Sequence, residues 1–309
     1  GTTDFTEEIK AAIAALVGLE GAMLYIPKSD YLITDTLDFS ALNTGQKEPN
    51  YTLDFGGSKF IWDGDTDKPI FLFYNNVQNN IELKHFILDG MSTAGSKGIF
   101  LDSLAPYDCS NIKISFFEIY DCAIGMELGS ETGGQQNRIT NVITENFLIQ
   151  GCTTGVKMNS GNVDMDEFNN GILGGCTTCF DFTRCGHLAF KDVYGQNADD
   201  FILINGPHGS LNFKNCAAEG AGNFFRQAVY DGTNKYNPIR FDSCTLDLPV
   251  VFDAGDSGGE RVIFESCDID GNITVNGNNL YIVAENSFIR TGNTILLAGS
   301  GSSLLNISS

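Results

Sequence analysis

A pattern that returns along most of the chain, with no room for a helix between copies, leaves this sequence few possible folds. Apolar or small residues stand at offsets 0, +2, +5, +7 and +9 in segments that begin at Ile81, Ile112, Val142, Val163, Leu188, Leu211, Ile239 and Val262, with a looser copy from Leu280. Second alternating segments run between them, such as GIFLD (98–102), GVKMN (155–159) and FILIN (201–205). The starts lie 18 to 31 residues apart, so the strands are fixed while their connections vary in length. A parallel sheet of strand-helix-strand units needs roughly a dozen residues for every crossover, and these connections are shorter. Coiling the chain so that each copy lies about 4.8 Å above the last removes the difficulty. The pattern therefore predicts an all-β chain, a parallel β-helix in which like positions form ladders. No Pro/Ser/Gly-rich linker or charge block divides the 309 residues, so a single domain over 1–309 is expected, with an N-terminal cap in 1–20 and stacked rungs in 21–309.

The nine cysteines fit such a coil. Cys216, Cys244 and Cys267 share offset +5, and Cys122, Cys152 and Cys176 share the turn phrases DCAIG, GCTTG and GCTTC. Two buried columns of reduced thiols follow, as in a protein assembled in a reducing cytoplasm, rather than a disulfide framework. The string CTTCFDFTRCGH places Cys176, Cys179, Cys185 and His187 at spacings similar to a zinc knuckle. A strand falls between its two halves and GCTTC repeats the preceding turn, so no metal is expected, and no cofactor.

An open first rung would expose unpaired backbone and apolar core, so the stack needs a cover. Residues 4–17, DFTEEIKAAIAALV, carry Phe5, Ile9, Ile13 and Leu16 near helical spacing with a cap at Asp4 or Thr6, and this helix can plug the end. It runs straight into AMLYIPKSDYLITDTLDF (22–39) and then NNIELKHFILDG. That succession resembles the N-terminal signature of the pectate-lyase-like right-handed β-helix superfamily, above all the branch found in bacteriophage tailspikes and tail-fibre depolymerases. Pro27, Tyr31 and Ile33 stand where that branch has Pro-x-Gly-x-Tyr, with Ser29 in place of the Gly. The motif covers about the first 90 residues. The resemblance implies a right-handed coil, a homotrimer, a place in the virion tail with action at the bacterial surface, and bacterial surface polysaccharide as the partner. The closing GSSLLNISS is expected to add one more strand.

A formal charge of −21, from 39 acidic and 18 basic residues, opposes binding to phosphate backbones and anionic membranes, so nucleic acid is an unsuitable partner. No apolar run reaches the roughly 20 residues that span a bilayer, so no membrane insertion is expected. A neutral or mildly charged glycan suits this composition better than a polyanion.

Substrates of a β-helix lie along its flank, which makes the outward offsets the place to look for chemistry. At +3 and +4 the densest acidic group is Glu145, Asp166, Glu167 and Asp192, on three neighbouring rungs. Glycoside hydrolysis needs two carboxyl groups, about 5 Å apart for retention or about 6.5–9.5 Å for inversion, and residues one or two rungs apart span that range. These four are the candidate catalytic residues of a polysaccharide depolymerase. Phe116, Tyr120 and Tyr194 are outward aromatics able to stack on sugar rings, and Lys191 stands beside the acids, which makes these four the candidate substrate-binding residues. The plainer reading is a solvated charge ladder in which Asp166 pairs with Lys191 and Lys214 with Asp242. Loops 129–141 and 226–238, with Glu131, Arg138, Arg226, Tyr230, Asp231 and Tyr236, are further candidates for groove walls. Asp199-Asp200 followed by NGPHG resembles the polygalacturonase motif only loosely, and His208 reads as a turn residue. Two alternatives to hydrolysis stay open: a non-catalytic glycan-binding adhesin or structural tail component, and a lyase acting on uronates.

Overall fold

The computed structural model describes residues 3–19, 21–42, 50–75, 80–103, 108–130, 138–160, 162–220, 222–228, 237–253, 261–276, 280–290, 295–297 and 304–308, and pairs their strands in parallel throughout. Two sheets run the length of the stack. One extends from Met23–Tyr25 to Leu304–Ser308 and the other from Leu37–Asp38 to Ile295–Leu297. The closing segment thus supplies a strand, paired with Tyr281–Glu285. Among the described residues no helix is long and apolar enough to cross a membrane.

The strands of the larger sheet bend in their middles, and from the rung of Ile81 onward the bend is made by one residue per rung, whereas Asn50–Trp62 bends through Gly56 and Gly57. His85, Phe116, Asn146, Asn170, Asp192, Asn215, Ser243, Ser266 and Asn286 form one corner column with φ between 50° and 58°, four residues after Ile81, Ile112, Val142, Asp166, Leu188, Leu211, Ile239, Val262 and Ile282. This left-handed conformation costs an ordinary L-residue roughly 1–2 kcal/mol and costs Asn and Asp least, because a short polar side chain can bond locally. The corner residues use that capacity along the axis: Asn170 Nδ2 donates to Asn146 Oδ1 at 2.5 Å, and Asn215 Nδ2 to Asp192 Oδ1 at 3.0 Å. A second corner, just before offset 0, contains Asn111, Asn141 and Met165 with φ near 60°.

Inward positions make the core. Phe86, Phe117 and Phe147 stack at offset +5 with centroids 5.3 and 5.8 Å apart. The next rung has Gly171 there, and a Cβ on Gly171 would meet the Phe147 ring at 2.0 Å. The aromatic stack therefore moves to offset +2, where Phe168, Phe190, Phe213, Phe241 and Phe264 continue it at 4.7 to 5.3 Å. All nine cysteines are buried and free. Cys216 and Cys244 occupy one column, the Cys216 N–H donating to Cys244 Sγ at 3.4 Å.

The N-terminal helix spans Thr6–Ala14, shorter than 4–17, and buries Ile9 and Ile13 against the first rung, with Leu16 buried just beyond it. Asp4 Oδ1 accepts from the Thr6 N–H at 2.9 Å and from the Thr6 hydroxyl at 2.6 Å. In the phrase after it, Tyr31 donates its hydroxyl to Pro27 O at 2.7 Å, which folds the turn between the strands Met23–Tyr25 and Asp30–Ile33.

Two rungs correct the sequence reading: the last copy starts at Ile282, level with Val262, and not at Leu280, and the rung after Val142 starts later than its apolar pattern suggests. The coil does not restart at Val163: that residue belongs to a short strand, Asn162–Asp164, and the chain passes through left-handed Met165 to restart at Asp166. Ile143 pairs with Glu167, so Val142 stands level with Asp166, which in turn pairs with Leu188. Asp166 is therefore inward, not outward, and is only 1% exposed.

Candidate active site

The corrected register decides which acids meet. Glu145 lies opposite Asn169, which lies opposite Lys191, while Glu167 sits between Ile143 and Ala189 in the other outward column of the same face. Asn146, Asn170 and Asp192 follow at the corner. Together these residues line an open cleft of about 430 Å³ that contains Glu145, Glu167 and Asp192, three of the four candidate acids, and Lys191. Glu145 and Glu167 are diagonal neighbours on adjacent rungs, a relation that sets backbones about 7–8 Å apart.

The electrostatic settings of these acids differ. Glu145 accepts from Lys113 Nζ at 2.9 Å, whereas Glu167 Oε2 accepts from the neutral amide of Asn169 at 3.3 Å. Asp192 accepts from Asn215 and has Lys191 Nζ at 3.9 Å. Asp166 does not belong with them. Its Oδ1 accepts the Val142 N–H at 2.7 Å, its Oδ2 has no hydrogen-bond partner among the described residues, and burial pushes its carboxyl well above the ordinary range. An ion pair with Lys191 is impossible from inside the core, though Lys214 and Asp242 do pair, at 3.3 Å.

A second cleft of about 560 Å³ continues along the same corner and shares Asn146 and Asn170 with the first. Phe116, His85, Leu148 and Ile172 line it. The two tyrosines lie outside the lining of both clefts. Tyr120 donates to Glu118 Oε2 at 2.5 Å, and burial, then that carboxylate, pushes its hydroxyl up to about 12. The Glu219 carboxylate does the same for Tyr194, also to about 12.

Other candidates resolve into structure. Asp200 is buried and bound to Arg226 Nη2 at 2.8 Å and Asn223 Nδ2 at 2.9 Å, and His208 is buried beside Gly209. Arg226 lies within the strand Asn223–Gln227 and Arg138 opens the strand Arg138–Gln150, so neither is a loop residue. Glu131, Tyr230, Asp231 and Tyr236 fall outside the described residues. Cys176 and Cys185 are buried at opposite ends of the strand Thr178–Arg184, and among the described residues no group of three or more His, Cys, Asp or Glu is arranged to hold a metal ion. Asn169, Asn170, Ile172 and His85 escaped selection as site residues. The first three were hidden by the misplaced rung; His85 shares the corner column with Phe116.

Stacked parallel sheets of this kind recur in solved structures. Endo-xylogalacturonan hydrolase from Aspergillus tubingensis superposes with a TM-score of 0.54 at 12% identity, over 99% of this chain and 88% of that one. The chain is a right-handed parallel β-helix. The ORF18 protein of Geobacillus virus E2 matches the β-helix with a TM-score of 0.52 at 15% identity, over 100% of this chain and 59% of the viral one. At such identities the likeness is one of fold. No protein-family model matches the β-helix, and no curated protein is similar to it in sequence.

Proposed function

We propose that this β-helix binds a bacterial surface polysaccharide along the flank formed by the two clefts and hydrolyses it, as the receptor-binding depolymerase of a phage tail. One observation carries the reading: Glu145 and Glu167 stand on adjacent rungs and line one open cleft, the paired-carboxyl arrangement that glycoside hydrolysis requires. Glu167, which has no ion pair among the described residues, is assigned as the proton donor to the leaving oxygen. Glu145, paired with Lys113, is the base that orients water, and Asp192 and Lys191 hold the sugar hydroxyls. The fold neighbours support the class of substrate and the setting, since one is named for hydrolysing xylogalacturonan and another is a viral protein. A homotrimer and action at the host surface complete the proposal.

The test is reducing-end release from a panel of bacterial capsular and exopolysaccharides. Glu145→Gln and Glu167→Gln should each lower the rate by about 100-fold or more, as expected for loss of a positioned acid or base. Cleavage that survives both changes rules the site out. Binding without new reducing ends identifies an adhesin, and products that absorb as unsaturated uronates identify a lyase.

A further inference from the structure

Phe116 is out of place by every structural criterion. Its column is otherwise filled by His, Asn, Asp and Ser, residues that tolerate or exploit the left-handed bend, yet a bulky aromatic adopts φ 54° there. Burial does not explain it, because the side chain is 53% exposed. Backbone strain kept at an exposed position is a reason to look for function. The ring faces His85 on the preceding rung, centroids 5.3 Å apart and 32° between planes, and His85 Nδ1 is in turn held by Asp54 Oδ1 at 3.0 Å. Ile172, itself 47% exposed, adds an apolar group to the cleft above these rings.

We infer that Phe116, supported by His85, is a stacking subsite for the apolar face of a neutral pyranose. The inference rests on the reading of this flank as a glycan groove and adds the class of sugar it takes. The electron-rich face of a phenyl ring attracts the C–H groups that galacto-configured and deoxy sugars present on one side. Asp54 behind His85 and Glu118 in the cleft wall set two carboxylates against Lys28, the lysine of the same lining, and this balance disfavours a uronate at this position. Asn146 is the corner residue of the next rung, so a sugar on Phe116 lies about 4.8 Å along the axis from the level of Glu145. The polymer is thus gripped next to the bond the carboxylates would cleave.

Saturation-transfer NMR with methyl β-D-galactopyranoside, methyl α-L-rhamnopyranoside and sodium galacturonate tests this without any cleavage. Wild type should give ring C–H signals with one or both neutral glycosides and none with galacturonate. Phe116→Asn, which matches the residues of its column, should lose those signals while unfolding at least about 2 °C higher. The Glu145→Gln/Glu167→Gln double variant should keep them, so failure of the catalytic reading and failure of the subsite show up separately. Signals unchanged in Phe116→Asn, absent from wild type, or stronger with galacturonate overturn the inference.

Discussion

Asp166 Oδ1 accepts the backbone N–H of Val142 at 2.7 Å across adjacent rungs, and the two residues occupy the same inward column. Neighbouring positions of that column are Ile112 and Leu188, so a carboxyl group stands in a stripe of aliphatic side chains. The bond satisfies an N–H next to the left-handed Asn141, where the ladder is interrupted.

The fold accommodates the acid form of Asp166. Its contribution to stability is full below about pH 4, the range of an unfolded Asp, and is lost as pH rises through its raised folded value. Asp164 and Cys185 are the titratable neighbours, and charge on either works in the same direction. Asp166→Asn keeps an acceptor for Val142 and cannot ionise. It should raise stability at pH 7–8 by about 1–3 kcal/mol, with the gain shrinking towards pH 4 in thermal unfolding across that range. Asp166→Leu suits the column but orphans the Val142 N–H, so its gain should be smaller. A pH-independent difference between wild type and Asp166→Asn would refute the assignment.

Little in the local sequence marks this rung. VDMDEFNNGI fits the apolar pattern when started at Val163, and a pattern built on apolar residues cannot anticipate an aspartate inside. The corners carried the missing signal. Asn146 and Asn170 are 24 residues apart, as are Val142 and Asp166, and a left-handed bend prefers Asn. Aligning corner asparagines instead of apolar starts places Asp166 inward and brings Asn169 and Asn170 to the flank. The fold, the plug helix and the cysteine columns were legible because each repeats along the chain. The acid cleft was legible only in part, since a slip of three residues moves a side chain from one face to another.

Of the cleft acids Glu167 and Asp192 are exposed and Glu145 is half-buried, and all three should be replaceable without harm to the fold. Glu145→Gln, Glu167→Gln and Asp192→Asn should each change unfolding free energy by less than about 0.5 kcal/mol in denaturant titrations. Any loss of depolymerisation is then chemical, and Asp166→Asn should leave the rate at the wild-type level.

Gly171 lets Phe147 pass across its backbone. Gly171→Ala puts a methyl group where the ring lies and should cost about 1–3 kcal/mol in a denaturant midpoint, the usual range for overpacking. A neutral effect would mean that the ring has another rotamer available.

Buried thiols react slowly. In the native protein none of the nine cysteines should react rapidly with an aromatic disulfide reagent, and all nine should react once the chain is unfolded in guanidinium without reductant. Fewer than nine on unfolding would reveal a disulfide.

The single-residue corners have a consequence for recognition. Because the described rungs from Ile81 onward turn at the same point, side chains on the flank are displayed at a constant pitch of about 4.8 Å, whatever the length of the loops elsewhere in the rung. A polymer laid along that edge is measured as well as bound. Chains whose substituents recur in step with the rungs meet Phe116, Glu145 and Asp192 in turn, and chains of another period drift out of phase after a few sugars.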